Sequence, residues 1–180
     1  MTDRPNGRPA PQPDQPPPGA LRPGEVTLSS DPAAHPADAG VVFIGRIRTG
    51  WLSLADCPKN LRAARETGRT AVIEIDPPYR PGLAGLERVS HVVLLYWMGK
   101  SRRDIIVQAP RHTDGTRGVF ALRSPARPNP IALAAVPLLS VDIAAGRLEV
   151  GMLDCLDGTA LLDLKPYVAT VDAIPDAAFA

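Results

Sequence analysis

The sequence predicts a mainly β protein built as one small barrel, and three observations carry that reading. Apolar and β-branched runs of five to eleven residues recur from residue 41 onward, most bounded by Pro, Gly or Asp. Only residues 61–67 read as a helix. No glycine-rich turn opens a helix after a strand, as a doubly wound nucleotide-binding fold would require. Many short strands separated by turns favour a barrel or a closed, curved sheet.

Residues 1–40 hold about half of the 21 prolines, with Gln, Asp, Gly and Ala between them and almost no large apolar side chains. Such a segment buries too little surface to offset its ordering entropy, so a disordered, Pro-rich tail without secondary structure is expected. A docking role for Pro16, Pro17 and Pro18 is the alternative. The folded domain is expected over residues 41–176. Its strands are predicted at 41–49, 70–76, 91–98, 104–108, 118–122, 131–141, 147–153 and 160–164. The unbroken apolar run at 91–98 predicts a strand covered on both faces, with His91 as a hydrogen-bonded core imidazole. Pro78, Pro81, Pro110 and Gly115 mark loops.

The 180 residues suit a single domain with a real core. Twenty basic and nineteen acidic residues give a formal charge of +1, so net charge demands neither nucleic acid nor a membrane. Cys57 and Cys155 form no CxxC pair and no metal spacing, and read as free thiols of a reducing compartment. No apolar run approaches the ~18 residues that span a bilayer, and no signal-peptide core is seen. A soluble, cytoplasmic protein is expected. Walker-type and GxSxG motifs are absent, and His35, His91 and His112 lack zinc-like spacing.

Two constellations stand out. In Arg123-Ser124-Pro125-Ala126-Arg127-Pro128-Asn129-Pro130-Ile131 three prolines fix φ and remove backbone donors. They also bias the preceding residues towards extended geometry. The stiff loop presents Arg123, Arg127 and Asn129 to a small ligand at low ordering cost, or is a rigid turn with solvated arginines. In Leu153-Asp154-Cys155-Leu156-Asp157-Gly158-Thr159, Asp157-Gly158 signals a tight turn, with the flanking strands paired as a hairpin. Asp154, Asp157 and Asp163 would then cluster with Lys165. The acids would accept hydrogen bonds from a ligand, cap an exposed turn, or hold a metal at a spacing unlike known oxygen-ligand loops. Between residues 100 and 127, Lys100, Arg102, Arg103, Arg111, Arg117, Arg123 and Arg127 face only Asp104 and Asp114. That excess suits phosphate contact or a solvated surface, with Tyr96 and Trp97 just before it.

Taken together, these blocks resemble the TsaA/YaeB-like family, the tRNA methyltransferase O family. The resemblance runs from about residue 41 to 176. It is carried by Ile44-Gly45-Arg46-Ile47-Arg48-Thr49, Gly85-Leu86-Glu87 before Ser90-His91, and Gly118-Val119-Phe120-Ala121 with Arg123. Arg127-Pro128-Asn129-Pro130-Ile131 and the Asp154-to-Tyr167 block complete it. The resemblance implies a TsaA-like β-barrel methyltransferase that binds S-adenosyl-L-methionine near the interface of a homodimer, without metal or membrane. The implied acceptor is N6 of a threonylcarbamoyl-modified adenosine beside the tRNA anticodon. Cofactor contacts carried over by motif are Pro58, Lys59, Asn60, Gly99, Lys100, Arg123, Leu133, Asp157, Gly158, Thr159 and Ala160. Asp154 and Asp157 are the candidate catalytic carboxylates. Arg102, Arg103, Arg111, Arg127, Asn129, Lys165 and Tyr167 are the candidate substrate and RNA contacts.

The chain departs from the family pattern at Ala132, where glycine is usual, and at Ala160, where proline is usual. Longer members carry a further C-terminal domain that helps hold tRNA, and little sequence follows Tyr167 here. Two other classes stay open: a regulatory module that binds the cofactor without transfer, and a metal-dependent phosphohydrolase built on the three aspartates.

Overall fold

A computed structural model describes residues 20–111 and 114–178. Six strands close into an antiparallel barrel in the order β2-β3-β8-β7-β4-β9. They are β2 (Gly45–Arg48), β3 (Thr70–Ile75), β4 (His91–Trp97), β7 (Ile131–Asp142), β8 (Arg147–Gly151) and β9 (Thr159–Pro166). A second sheet, ordered β1-β5-β6, is made by β1 (Val26–Thr27), β5 (Ile105–Gln108) and β6 (Arg117–Gly118). Helix α1 is Leu61–Glu66 and α2 is Ala169–Asp172.

Alternation builds the core. Ile47, Ile73, Val92, Leu94, Val136, Leu148, Val150 and Leu161 point inward and are fully buried. In β4, Val93, Leu95 and Trp97 on the opposite face are half-buried, so the unbroken apolar run is fully covered on one side only. His91 is exposed, a correction to the expected core imidazole: it opens β4 at the barrel rim, and its Nδ1 lies 3.0 Å from Ser90 Oγ. At Gly45 an added Cβ would stand 2.1 Å from the Glu74 carbonyl oxygen, so β2 reaches β3 only because the side chain is missing.

Residues 131–137 of β7 pair with β4 and residues 138–142 with β8. The offset staggers the strands as closure requires, and a register shift follows Pro137, which cannot donate to a ladder.

Four further expectations are corrected. The first barrel strand starts at Gly45, leaving Val41, Val42 and Phe43 exposed. Residues 119–121 form a 3-10 turn, with only Arg117–Gly118 in a strand. The segment over residues 20–40 is not devoid of secondary structure: β1 pairs with β5, and Leu28 N–H donates to the Asp104 carbonyl. The anchor is Glu25, whose carboxylate accepts Ala109 N–H at 3.2 Å and pairs with Arg22 at 2.7 Å. These backbone and ionic partners supply what apolar burial does not. The expectation for residues 1–19 lies outside the described residues. Finally, the strands on either side of Asp157-Gly158 are not a hairpin. β8 pairs with β3 and β7, whereas β9 pairs with β2 and β4, so the link between them crosses the end of the barrel.

Candidate functional site

That link, residues 152–158, shapes a cleft. Met152, Leu153 and Cys155 are buried, which leaves Asp154, Leu156 and Asp157 on the outer side. The link is tied to the residues after β2. Asp157 Oδ1 accepts Thr49 N–H at 3.0 Å and Gly50 N–H at 3.2 Å, and Oδ2 meets Arg48 at 3.3 Å. Thr49 Oγ1 donates to the Cys155 carbonyl and Trp51 Nε1 to that of Leu153. Asp157 N–H and Gly158 N–H donate to the carbonyls of Trp51 and Ile47. Gly158, at φ 77°, adopts the left-handed turn that its lack of Cβ allows.

The floor of the cleft is one rung across three strands. Ala160 at the start of β9 pairs with Arg46 of β2 on one side and with Trp97 of β4 on the other. Phe43, Leu54, Cys57, Met98, Gly99, Lys100, Ser101, Asp154, Leu156, Asp157, Gly158 and Thr159 complete the lining of a volume of about 290 Å³. That size and mixed lining suit a small organic ligand. Gly99 packs on Trp97: a Cβ there would lie 3.1 Å from the indole Cδ1.

Asp154 is half-buried in the wall. Among the described residues its one hydrogen-bond partner is the buried Tyr96, whose hydroxyl donates to Oδ1 at 3.3 Å. Burial, with Asp154 second, pushes the Tyr96 phenol well above its usual range. Burial and then Asp154 raise the Cys57 thiol. Burial carries the Cys155 thiol up to about 12. All three therefore stay neutral near pH 7, and of the two carboxylates lining the cleft Asp154 has the less engaged oxygens.

The predicted site residues separate in space. Gly99, Lys100, Asp154, Asp157, Gly158, Thr159 and Ala160 meet in the cleft. Pro58, Lys59 and Asn60 follow the lining residue Cys57 but are not in the wall, and the Asn60 side chain caps α1 by accepting Ala63 N–H at 2.9 Å. Arg123 and Leu133 meet each other, Nη2 donating to the Leu133 carbonyl at 2.9 Å, outside the lining. Arg127 turns inward: Nε donates to the Ser124 carbonyl at 2.8 Å, and Nη2 to those of Val119 and Leu122. Arg102 pairs with Asp104, and Arg103 with Pro128 and Asn129. Arg111 is exposed after β5. Lys165 pairs with Asp163 at 2.7 Å, five residues along β9 from Ala160 and so roughly 16 Å away. Tyr167 stacks obliquely on His91 at 6.4 Å.

The three aspartates are thus dispersed, and among the described residues no group of three His, Cys, Asp or Glu is placed to hold a metal ion. No helix among them is long and apolar enough to cross a membrane. The sequence reading missed Phe43, Arg46, Leu54, Cys57, Trp97, Met98, Ser101 and Leu156 as lining residues. For several the signal was adjacency: Trp97-Met98 precedes Gly99-Lys100, and Leu156 precedes Asp157.

A family model described as the tRNA-methyltransferase O N-terminal domain matches residues 46–173. A "Probable S-adenosyl-L-methionine-binding protein" of Archaeoglobus fulgidus is 42% identical over 135 residues, covering 74% of this chain and 35% of that protein. The "Probable S-adenosyl-L-methionine-binding protein VirR" of Rhizobium radiobacter is 40% identical over 146 residues, 81% of this chain and 79% of the relative. The crystal structure of TrmO from Pseudomonas aeruginosa superposes with a TM-score of 0.63 at 36% identity, covering 79% of this chain and 61% of that one. The chain therefore spans about a third of the first relative and three fifths of the solved structure. With 128 of its residues matched in one continuous span, the chain belongs to the family of the tRNA-methyltransferase O N-terminal domain.

Proposed function

We propose that the chain is an S-adenosyl-L-methionine-dependent methyltransferase that holds its cofactor in the cleft over the Arg46–Ala160–Trp97 rung. The proposed acceptor is N6 of a threonylcarbamoyl-modified adenosine beside the tRNA anticodon. The observation that carries this reading is the meeting of Gly99-Lys100 with Asp154 and Asp157–Ala160 in one cleft. The cleft's chemistry fits such a cofactor. Trp97, Phe43 and Leu54 offer an apolar wall for a purine, and Asp154 accepts hydrogen bonds. Lys100 offers a cation to a carboxylate, and Gly99 leaves backbone uncovered.

When bound, S-adenosyl-L-methionine supplies an electrophilic methyl group on a sulfonium. The chain's own part is alignment and proton handling. Asp154 accepts the hydrogen bond of the reacting N–H and would take that proton as the nitrogen–methyl bond forms and the sulfonium–methyl bond breaks. Asp157 shapes the turn instead, because Thr49, Gly50 and Arg48 engage its oxygens. The reading takes the protein as a cytoplasmic homodimer, for which Ile131 and Leu133, exposed on β7, offer apolar surface.

The test is calorimetric titration with S-adenosyl-L-methionine, followed by transfer assays on tRNA with and without threonylcarbamoyl. Saturable binding and modification-dependent transfer are expected. Asp154→Asn should keep binding and slow transfer by about 10²-fold. An absence of binding would overturn the reading. The relatives' names speak of binding, which favours a second reading as a cofactor-binding regulatory module. Tight binding without transfer to any tRNA would select it.

A further inference from the structure

We propose that Arg103 is a positioning residue of the cleft: it fixes the indole of Trp97 and thereby sets cofactor affinity, an inference that rests on the cofactor reading above. Trp97 ends β4, lines the cleft and belongs to its floor rung. The Arg103 guanidinium carbon lies over that ring, 5.5 Å from its centroid. A guanidinium so placed is attracted to the ring's electron-rich face.

The guanidinium is itself held. Nε donates to the Pro128 carbonyl at 2.6 Å and Nη2 to Asn129 Oδ1 at 3.5 Å. Those acceptors belong to a loop that cannot readily shift. Arg127 gathers the carbonyls of Val119, Leu122 and Ser124, and Gln108 Nε2 donates to that of Ala126. Met98 N–H donates to the Pro130 carbonyl at 2.9 Å. The chain of contacts thus runs from the proline-rich loop through Arg103 to the cleft wall. The loop's own Arg127 and Asn129 are absent from that wall.

The geometry demands a fork as well as a charge. Lysine would keep a cation near the ring but could not reproduce the planar pair of donors to residues 128 and 129. An arginine that merely touched RNA phosphate would leave cofactor affinity alone. These two roles therefore differ in what they move.

The experiment uses the full chain, labelled with nitrogen-15, in which Trp51 and Trp97 give two indole N–H signals. Trp97→Phe assigns them. S-adenosyl-L-methionine is titrated into wild type, Arg103→Ala, Arg103→Lys and Arg62→Ala, the last removing an equal charge from a side chain 90% exposed. Arg103→Ala is expected to shift the Trp97 signal before any ligand is added, to leave Trp51 in place, and to raise Kd about tenfold. Arg103→Lys should fall between, with Kd raised about threefold, and Arg62→Ala should match wild type. If Arg103→Ala does not fold, Arg103→Lys carries the test alone. An unmoved Trp97 signal, or wild-type Kd with weakened tRNA binding, overturns the inference. A wild-type chain that binds no cofactor overturns the cofactor reading instead, while the shift of the Trp97 signal still judges the positioning.

Discussion

Asp157 Oδ1 accepts the backbone N–H of Thr49 at 3.0 Å, joining the end of β2 to a link 108 residues later in the chain. The same oxygen takes Gly50 N–H, and the other meets Arg48. Asp157→Ala leaves two backbone donors and an arginine short of an acceptor. A loss of about 2 kcal/mol in urea-induced unfolding is expected. Asp157→Asn keeps an acceptor oxygen and should recover part of it. A fully stable Asp157→Ala protein would show that water replaces the carboxylate.

Arg127 serves three carbonyls within its own loop. Arg127→Lys replaces a planar fork by a point charge and should cost about 1–3 kcal/mol of stability. Proteolysis within residues 119–128 should become faster. Unchanged melting and cleavage would assign the arginine to solvent.

Cys155 and Tyr96 are held protonated by burial. Their folded-state values lie above the unfolded ones, so the unfolded chain binds fewer protons between the two values, and stability falls as pH rises. For Cys155 that window opens near pH 9 and extends to about 12. Chemical denaturation between pH 9 and 11 should show a steady decline, shallower in Cys155→Ala. A flat profile would mean that the thiol titrates as in a free peptide.

Cys57 lines the cleft, half-buried, with burial and Asp154 keeping its thiol protonated above the usual cysteine range. Alkylation by iodoacetamide at pH 8.5 should therefore be several-fold slower than that of a free thiol. Asp154→Asn should speed it by removing the nearby negative charge. S-adenosyl-L-methionine should slow it further by filling the cleft. Mass mapping of the labelled peptide gives both rates.

The barrel strands are legible in the sequence as short apolar runs between turn residues: β3, β4 and β7 begin where those runs predict. The turn at Asp157-Gly158 is legible for the same reason as any Asp-Gly turn, but not its partners. Asp157 reaches Thr49 and Gly50 only through closure of the barrel, and no local signal reports closure. Arg127 misleads for a different reason. The 3-10 turn and the residues after it turn the carbonyls of Val119, Leu122 and Ser124 towards one guanidinium, so an arginine that looks outward in sequence lies inward in space. The cleft emerges from adjacency across strands. Arg46, Trp97 and Ala160 are far apart in the chain and share one rung.

Closure through β2 and β9 gives each of the six barrel strands a hydrogen-bonded neighbour on both sides. In the three-stranded β1-β5-β6 sheet the edge strands are short: β1 is two residues long and β6 is another two. Edges that short offer little template for an incoming strand. The small N-terminal strand on β5 thus acts as a guard: by occupying one side of the four-residue β5, it shields the longest strand of that sheet from pairing with another chain.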